Sequence, residues 1–315
     1  MILRPVRDDE EDAEVVREIS AAAFGSTHAL YGAASASPGA HFKAGYGAIW
    51  GAAGPPDGPG GWPAERIARH HGRTRHLART DPGGCWLIED QAAGPVGAVL
   101  SYRREGTWAL SLLAVVPGAQ GKGVGKALLA RALMHGRACL RGVICLPDDP
   151  VAARTFRRAG FHLHPTMRLS GLPDPARLPP LDGPVHAGTE RHRDLMDSVD
   201  RRTRGGARGA DHEELLRHYG LLVVDDLAGS GYCYTRGGRV ETLAATSRRL
   251  STRLLTAALL AAPPGEPVRV DHILAETQWA VDVGVAAGLE ITNSGFLALR
   301  GMRPAELALP SRALP

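Results

Sequence analysis

The fold is decided by residues 115–129, which run VVPGAQGKGVGKALL. Two valines precede Pro117, four glycines fall between positions 118 and 125, and a pair of leucines closes the stretch. This order predicts the end of a strand, a glycine-rich loop and the start of a helix. A helix N-terminus exposes backbone N–H groups and the positive end of the helix dipole, and glycine lets a ligand approach them closely. The stretch is therefore predicted to bind a pyrophosphate.

Two common phosphate-binding loops do not fit this stretch. A P-loop needs glycine at position 120 and serine or threonine after Lys126, whereas the sequence has Gln120 and Ala127. The dinucleotide pattern GxGxxG fails in both frames, because Lys126 and Leu128 stand where its third glycine belongs. The strands predicted before the loop are hairpins, which also differ from the parallel strands of a dinucleotide-binding unit.

The segments around the loop alternate between strand and helix patterns. Three strands joined by hairpin-length turns are predicted to be antiparallel, at 85–89, 96–103 and 108–116. After the loop come a helix at 123–138, a strand at 143–146, a helix at 150–159 and a strand at 161–169. Before the first strand lie a helix at 9–24, an irregular aromatic-containing stretch at 32–62 that is a candidate lid, and a basic helix at 64–79.

The second half of the chain repeats this order after a linker with five prolines, residues 173–184. The repeat indicates a tandem duplication, so we predict a loop-bearing domain over 1–172, a degenerate copy over 185–300 and a tail over 301–315. Sliding the loop onto the copy places Thr246, Arg249 and Ser251 where Gln120, Gly123 and Gly125 stand. An arginine at that position fills the space that a pyrophosphate needs, and one ligand per chain is expected.

The loop resembles the coenzyme A pyrophosphate motif of the GCN5-related N-acetyltransferase (GNAT) family, through Gln120-x-x-Gly123-x-Gly125 after a Val-x-Pro. The run from Asp149 to Phe161, with Ala152, Phe156 and Gly160 between them, resembles the second cofactor element of that family. The resemblance implies an α/β (α+β) fold of two tandem GNAT-like domains, each a mixed, mostly antiparallel sheet flanked by helices. It also implies an acyl-CoA-dependent N-acyltransferase that acts on the amine of a small molecule, such as a secondary metabolite, by direct attack in a ternary complex.

By the same resemblance, the donor is acetyl-CoA or another acyl-CoA, and no metal is expected. The implied cofactor-binding residues are Leu113, Ala114, Val115, Val116, Gln120, Gly121, Lys122, Gly123, Val124, Gly125, Lys126, Asp149, Ala152 and Phe156. The thioester would lie between strands 108–116 and 143–146, with the pantetheine arm added to the first of them as an extra strand.

The sequence departs from the family at the positions that usually carry proton transfer. Phe156 stands where a tyrosine often protonates the departing thiolate, and Leu112 stands where many members place a glutamate base. Ser111 is the candidate catalytic residue that remains on the strand, as a hydrogen-bonding partner of the thiol or of a water. Weaker candidates at the expected cleft edges are Asp81, Glu105, His162 and His164.

Two other functions stay open at this stage. The basic stretch 66–79 and the cluster Arg201-Arg202-Thr203-Arg204 favour a phosphate-rich ligand, which includes tRNA as the donor in an aminoacyl-tRNA-dependent transferase of the Fem type. The substitutions at Leu112 and Phe156 favour a non-catalytic acyl-CoA sensor or scaffold. A net charge of only +4 does not by itself demand nucleic acid, and DNA is not an expected partner.

Composition bounds the setting in which the protein works. With 44% hydrophobic and 22% charged residues, the 315-residue chain has the composition of a globular protein, and no apolar run reaches the length of a membrane span. The four cysteines show no metal-ligand spacing, and the acidic run after Arg7 is not that of a signal peptide. We expect a cytoplasmic protein of a GC-rich bacterium, as a monomer or homodimer, with no membrane partner.

Overall fold

The structure, a computed structural model, describes residues 1–34 and 62–315. The interior of the predicted stretch at 32–62, a candidate lid, lies outside the described residues. The helices are α1 (Glu10–Ala34), α2 (Ala64–Thr80), α3 (Val124–His135), α4 (Pro150–Arg158), α5 (Arg193–Arg204), α6 (Asp211–His218), α7 (Arg248–Leu260) and α8 (Gln278–Ala286).

The strands alternate with the helices in two similar series. They are β1 (Ile2–Pro5), β2 (Cys85–Asp90), β3 (Gly94–Arg104), β4 (Thr107–Val115), β5 (Arg141–Leu146), β6 (His162–Gly171), β7 (His186–Ala187), β8 (Gly220–Asp226), β9 (Gly229–Arg236), β10 (Arg239–Ala245), β11 (Val268–Ile273), β12 (Glu290–Arg300) and β13 (Ala308–Leu309). The predicted element order is confirmed in both halves, and the predicted mixed, mostly antiparallel α/β fold is confirmed with it. The prediction omitted α5 and α6.

The chain divides into two compact units. Unit 1 comprises Met1–Ser101 and Leu112–His135, and unit 2 comprises Tyr102–Ser111 and Gly136–Pro315. In unit 1 the strands β1, β2 and β3 pair antiparallel in that order. The helices α1 and α2 meet through His71, whose Nδ1 and Nε2 lie 3.1 and 2.9 Å from carboxylate oxygens of Glu10 and Glu14.

In unit 2 the strand order is β4-β5-β12-β6-β11-β10-β9-β8-β7, with β13 beside β10. The first half of β4 runs parallel to β5, and β10 runs parallel to β11. The apolar faces of α7 and α8 supply core residues such as Leu254 and Trp279, which pack with Val270 of the sheet. This core explains why the copy keeps its helical leucine pattern although its loop sequence differs.

The two halves of the chain exchange their last long strands within unit 2. β12, from the second half, pairs antiparallel with β5 of the first half over five residues. β6, from the first half, pairs antiparallel with β11 of the second half. β12 and β6 then pair with each other, so each half of the chain completes the sheet of the other. Neither half buries its sheet edge without the other.

No helix in the two described ranges is both long enough and apolar enough to cross a membrane. Within the same ranges no disulfide joins two cysteines.

Candidate active site

The glycine-rich loop in unit 1 has the geometry of an anion cradle. A single 3-10 turn over Pro117–Ala119 follows β4, and the side-chain amide of Gln120 donates to the Val115 carbonyl at 3.0 Å, which ties the loop to its strand. Gly121 and Gly123 take positive φ values of 73° and 84°, a conformation that side chains disfavour. A side chain at Gly123 would meet no atom within 4 Å, so the space beside that backbone is open.

The helix after the loop begins at Val124 with its N-terminus facing solvent. Its first backbone bond runs from the Ala127 N–H to the Gly123 carbonyl at 3.0 Å, so the N–H groups of the three residues between them have no acceptor inside the helix. Lys122 and Lys126 are exposed beside these N–H groups. The unpaired N–H groups, the positive end of the helix dipole and the two lysine ammonium groups together form a site that suits a pyrophosphate.

The buried face of α3 fixes the position of the loop. Val124 and Leu128 are 2% and 0% exposed, and they lie over Gly97 of β3, where a Cβ atom would approach both side chains to 2.9 Å. The Val116 N–H donates to the Val96 carbonyl at 3.0 Å, beside the predicted pantetheine-binding positions Leu113 to Val116. Only glycine at position 97 leaves enough space for α3 to pack against the sheet.

The second predicted cofactor element lies on α4 of unit 2. Asp149 is the N-cap of this helix, and its carboxylate accepts from the Val151 N–H at 2.8 Å. Ala152 is half-buried on the first turn. Phe156 is 4% exposed, and its ring packs edge-on against Phe161 with 6.3 Å between centroids. Asp149 and Phe156 therefore have structural roles that hold without a ligand, and their cofactor contacts stay a prediction.

Ser111 directly follows Leu110, which pairs with Ile144 at the end of the pairing recorded between β4 and β5. The thioester position between these strands stays a prediction. The Ser111 hydroxyl donates to the Ala313 carbonyl at 2.6 Å. A catalytic role for Ser111, which stays a prediction, requires this hydrogen bond to be released.

The weaker acid–base candidates are held in other contacts. Asp81 and His135 pair at 3.2 Å inside unit 1, and both are nearly buried. Glu105 in unit 2 pairs with Arg201 at 2.7 Å and accepts from the Ala207 N–H, which lowers the pKa of its carboxyl. His162 and His164 stand on β6 and pair through the backbone with β12.

The corresponding loop of the second half is closed by protein side chains. Ser247 caps α7 by accepting from the Leu250 N–H at 3.4 Å, and Thr246 accepts from the Ser230 N–H at 3.1 Å. Arg249 pairs with Asp182 of the proline-rich linker, as does Arg253. The side chains at this loop are thus engaged with one another, and the expectation of one cofactor per chain stays a prediction.

Two arginines of the basic helix α2 pair with acidic residues within unit 1. Arg75 pairs with Asp8 at 3.0 Å and with Glu10, and Arg79 lies 3.5 Å from Asp8. The guanidinium of Arg66 stacks over Trp62 at 3.7 Å from the ring centroid. A tRNA phosphate would have to compete with the acidic start of α1 for Arg75 and Arg79, and the tRNA alternative stays a prediction.

Unit 2 also holds two polar clusters that the hydrophobic pattern did not reveal. In the first, the buried His212 places Nε2 3.5 Å from Asp197 and 3.4 Å from Asp200, with a geometry that could hold a metal ion. Arg208 stands 3.7 Å from the same Asp200 carboxylate, so a cation is already present there. The second cluster, the arginine cluster, gathers Arg168, Arg239 and Arg269 around Asp271, which is 7% exposed. The sequence carried one signal for this cluster, because the charged residues Arg269 and Asp271 alternate with valines on β11.

Residues 53–161 match the acetyltransferase (GNAT) family. Among curated proteins no match to the chain was found.

Three solved structures are similar to nearly the whole chain. A protein of Pyrococcus horikoshii classed as an acetyltransferase has a TM-score of 0.70 at 15% identity, over 100% of this chain and 95% of its own. A GCN5-related N-acetyltransferase from Kribbella flavida has a TM-score of 0.57 at 15% identity, over 94% and 71%. A tandem GNAT protein from the clavulanic acid biosynthesis pathway has a TM-score of 0.53 at 14% identity, over 96% and 99%. At these identities the similarity establishes the fold, including its tandem form.

Proposed function

We propose that the chain, which matches the acetyltransferase (GNAT) family over residues 53–161 and has a tandem GNAT fold, is an acyltransferase that transfers an acyl group from acyl-CoA to the amine of a small molecule. The observation that carries the proposal is the loop from Gln120 to Lys126, where open space, free helix N–H groups and two lysines meet at one end of β4. Acetyl-CoA is the simplest donor for this loop, and the cytoplasm, which supplies it, is the proposed location.

Bound acyl-CoA supplies an activated thioester. The N–H groups at the start of α3, with Lys122 and Lys126, would hold the two phosphates of the donor. Strand β4 pairs with β5 from Thr107 to Leu110, and the pantetheine arm would pair with the backbone of the later residues Leu113 to Val116. A backbone N–H of that segment would stabilise the oxyanion of the acyl transfer.

Proton transfer in this chain relies on solvent more than on fixed side chains. Leu112 is 8% exposed and apolar, and Phe156 carries no proton to donate. An acceptor amine that is already partly neutral at working pH needs no strong base. The proposal therefore favours amines with a low pKa.

An acceptor screen with acetyl-CoA and detection of the released thiol tests the proposal. Thiol release that depends on an added amine, with the acetylated product confirmed by mass, is the expected result. Binding of coenzyme A without turnover on any amine would favour the sensor alternative instead. A salt-sensitive mobility shift with tRNA, together with no acetyl transfer, would favour the aminoacyl-tRNA alternative, because each neutralised phosphate releases counterions.

A further inference from the structure

Two helices of unit 2 bring a buried histidine and two aspartates together. Asp197 and Asp200 stand three residues apart on α5, and this spacing places both carboxylates on one face of the helix. His212 is the second residue of α6, and its Nε2 lies 3.5 Å from Asp197 Oδ1 and 3.4 Å from Asp200 Oδ2. The three atoms lie within 4.8 Å of one another. One ring nitrogen and two carboxylate oxygens therefore face a common space.

The orientation of His212 leaves one ring nitrogen facing the two carboxylates. Its side chain is 0% exposed, and Nε2 makes no hydrogen bond with any residue in the described ranges. On the other side of the ring, Nδ1 lies 3.2 Å from the Tyr234 hydroxyl, which donates to the Met196 sulfur at 3.5 Å. Because that donation uses the hydroxyl proton, the Tyr234 oxygen accepts from Nδ1–H, and Nε2 carries a lone pair. A lone pair that faces two carboxylates is repelled by both unless a cation lies between them.

The two N···O distances fit the ligands of one metal ion better than they fit hydrogen bonds. An N–H···O hydrogen bond is about 2.7–3.2 Å long, and 3.4 and 3.5 Å exceed that range. Zinc binds histidine nitrogen at about 2.0–2.1 Å and carboxylate oxygen at about 2.0–2.2 Å, in tetrahedral geometry. Two such ligands lie about 3.3–3.5 Å apart across the tetrahedral angle. The folded chain thus already holds His212 at that separation from each aspartate.

The backbone between α5 and α6 fixes the two carboxylates. The Gly209 N–H donates to Asp197 Oδ1 at 3.0 Å, and the Arg208 N–H donates to Asp200 Oδ2 at 3.2 Å. The Tyr232 hydroxyl donates to the other oxygen of Asp200 at 2.6 Å. Since a carboxylate oxygen has more than one lone pair, these bonds leave each oxygen able to ligate. Metal sites use such supporting hydrogen bonds to orient their ligands.

The guanidinium of Arg208, the cation already present beside Asp200, does not occupy the space between the ring and the carboxylates. Its Nε donates to the Tyr232 hydroxyl at 3.2 Å, its Nη2 to the Thr242 hydroxyl at 3.1 Å and its Nη1 to the Leu314 carbonyl. Nε consequently stays 3.7 Å from Asp200 Oδ2. Arg208 offsets negative charge there without donating a side-chain hydrogen bond to the carboxylate, and a small cation can still reach the ligand atoms.

Asp197 gives the site its contact with solvent. Its side chain is 14% exposed, whereas Asp200 and His212 are fully buried. Arg193 lies 3.7 Å from Asp197 Oδ2 but also pairs with the exposed Glu213 at 3.1 Å. A metal ion can therefore enter beside Asp197, where a water molecule can supply the fourth ligand, as in open zinc sites.

We propose that Asp197, Asp200 and His212 bind a divalent transition-metal ion, and zinc is the ion that the ligand types and their spacing fit best. The ion joins α5 to α6. The family resemblance gave no reason to expect this metal. The site lies wholly within unit 2 and holds whether or not the chain transfers acyl groups. Because the ligands come together only in the folded chain, zinc is expected to stabilise the folded state.

Equilibrium dialysis against zinc, followed by measurement of the bound metal, tests the site in the full chain. Protein stripped with a chelator is expected to take up one zinc ion per chain. Asp197→Asn removes an anionic ligand but keeps the shape of a partly exposed side chain. Because the loss of a supporting hydrogen bond alone weakens metal binding about 10–100-fold, the loss of this ligand is expected to weaken it more than about a hundredfold. Asp194→Asn, an exposed aspartate one turn earlier on α5, is expected to bind zinc as tightly as the wild type.

Thermal melting distinguishes a loss of metal binding from a loss of folding. With chelator present, all three proteins are expected to unfold in one cooperative transition. Added zinc is expected to raise the melting temperature of the wild type and of Asp194→Asn and to leave that of Asp197→Asn unchanged. Absence of zinc from the dialysed wild type would overturn the site and show that a proton alone joins His212 to the carboxylates. Equal zinc binding by the wild type and Asp197→Asn would overturn it as well, because the metal would then bind elsewhere on the chain.

Discussion

Gly123 is the position at which the proposed donor site can be tested most sharply. Its φ of 84° disfavours any side chain, but a Cβ there meets no atom within 4 Å. The stability cost of a substitution thus comes from backbone conformation alone, about 1 kcal/mol. Asparagine and aspartate tolerate this conformation better than other residues and have nearly the same shape. Gly123→Asn and Gly123→Asp should therefore unfold at the same denaturant concentration, and they differ by one charge.

That charge decides the expected difference in affinity for coenzyme A. A carboxylate about 4 Å from a phosphate charge costs about 4 kcal/mol at an effective dielectric constant near 20. Since about 1.4 kcal/mol corresponds to a tenfold change, the aspartate is expected to bind coenzyme A about a thousandfold more weakly than the wild type. In Gly123→Asn the side chain only keeps the phosphate from approaching the backbone closely. The dissociation constant of coenzyme A should therefore be more than about a hundredfold higher for Gly123→Asp than for Gly123→Asn.

Calorimetric titration with coenzyme A measures both variants, and Gly118→Asp serves as the positional control. Gly118 is exposed in the same loop, has open space beside it and does not take a positive φ. Its aspartate should weaken binding much less than that at Gly123. An equal loss in Gly123→Asn and Gly123→Asp would show that shape and not charge matters. Wild-type affinity in Gly123→Asp would refute the pyrophosphate site itself.

Asp149, Phe156 and Asp12 make contacts that single substitutions can test. Asp149→Ala removes the N-cap of α4 and should lower the free energy of unfolding by about 1 kcal/mol in a denaturant titration, whereas Asp149→Ser should keep most of it. Phe156→Tyr adds a hydroxyl to a buried ring and should cost about 1–3 kcal/mol in thermal melting, with no gain in turnover; unchanged stability with faster turnover would instead place this ring at the thioester. The buried Asp12 has its pKa held below the usual range, because hydrogen bonds from two arginines outweigh burial. Its contribution to stability is present above about pH 4 and falls as the pH drops towards its lowered pKa, so the stability gap between wild type and Asp12→Asn should narrow in acid.

The local elements followed from the sequence because their signals are local. Alternating apolar residues defined β2 to β4, and the leucine spacing of α3 and α7 defined the helices after the two loops. Their pairing could not be predicted in the same way. The residues of β6 and β12 identify strands but not neighbours, and the exchange between the halves depends on pairs of residues that lie 97 to 158 positions apart in the chain.

The sequence did not predict the helices α5 and α6 for a different reason. The inner face of α5 carries Met196 and Val199 but also Asp200, which is 0% exposed, so its apolar pattern is interrupted where it matters. The Asp200 carboxylate accepts hydrogen bonds from the Tyr232 hydroxyl at 2.6 Å and from the Arg208 backbone N–H at 3.2 Å, 32 and 8 residues further along the chain. The same is true of the arginine cluster. A buried polar network is invisible to hydrophobic periodicity, because its partners come together only in the folded sheet.

The strand exchange gives the degenerate half of the chain a structural role that does not depend on a cofactor loop. Arg168 stands on β6, which belongs to the first half, and it reaches Asp271 on β11 of the second half only because those strands pair. Its other end donates to Ser294 on β12 at 3.1 Å. The arginine cluster therefore exists only in the tandem arrangement, and a single copy of the fold would lack it.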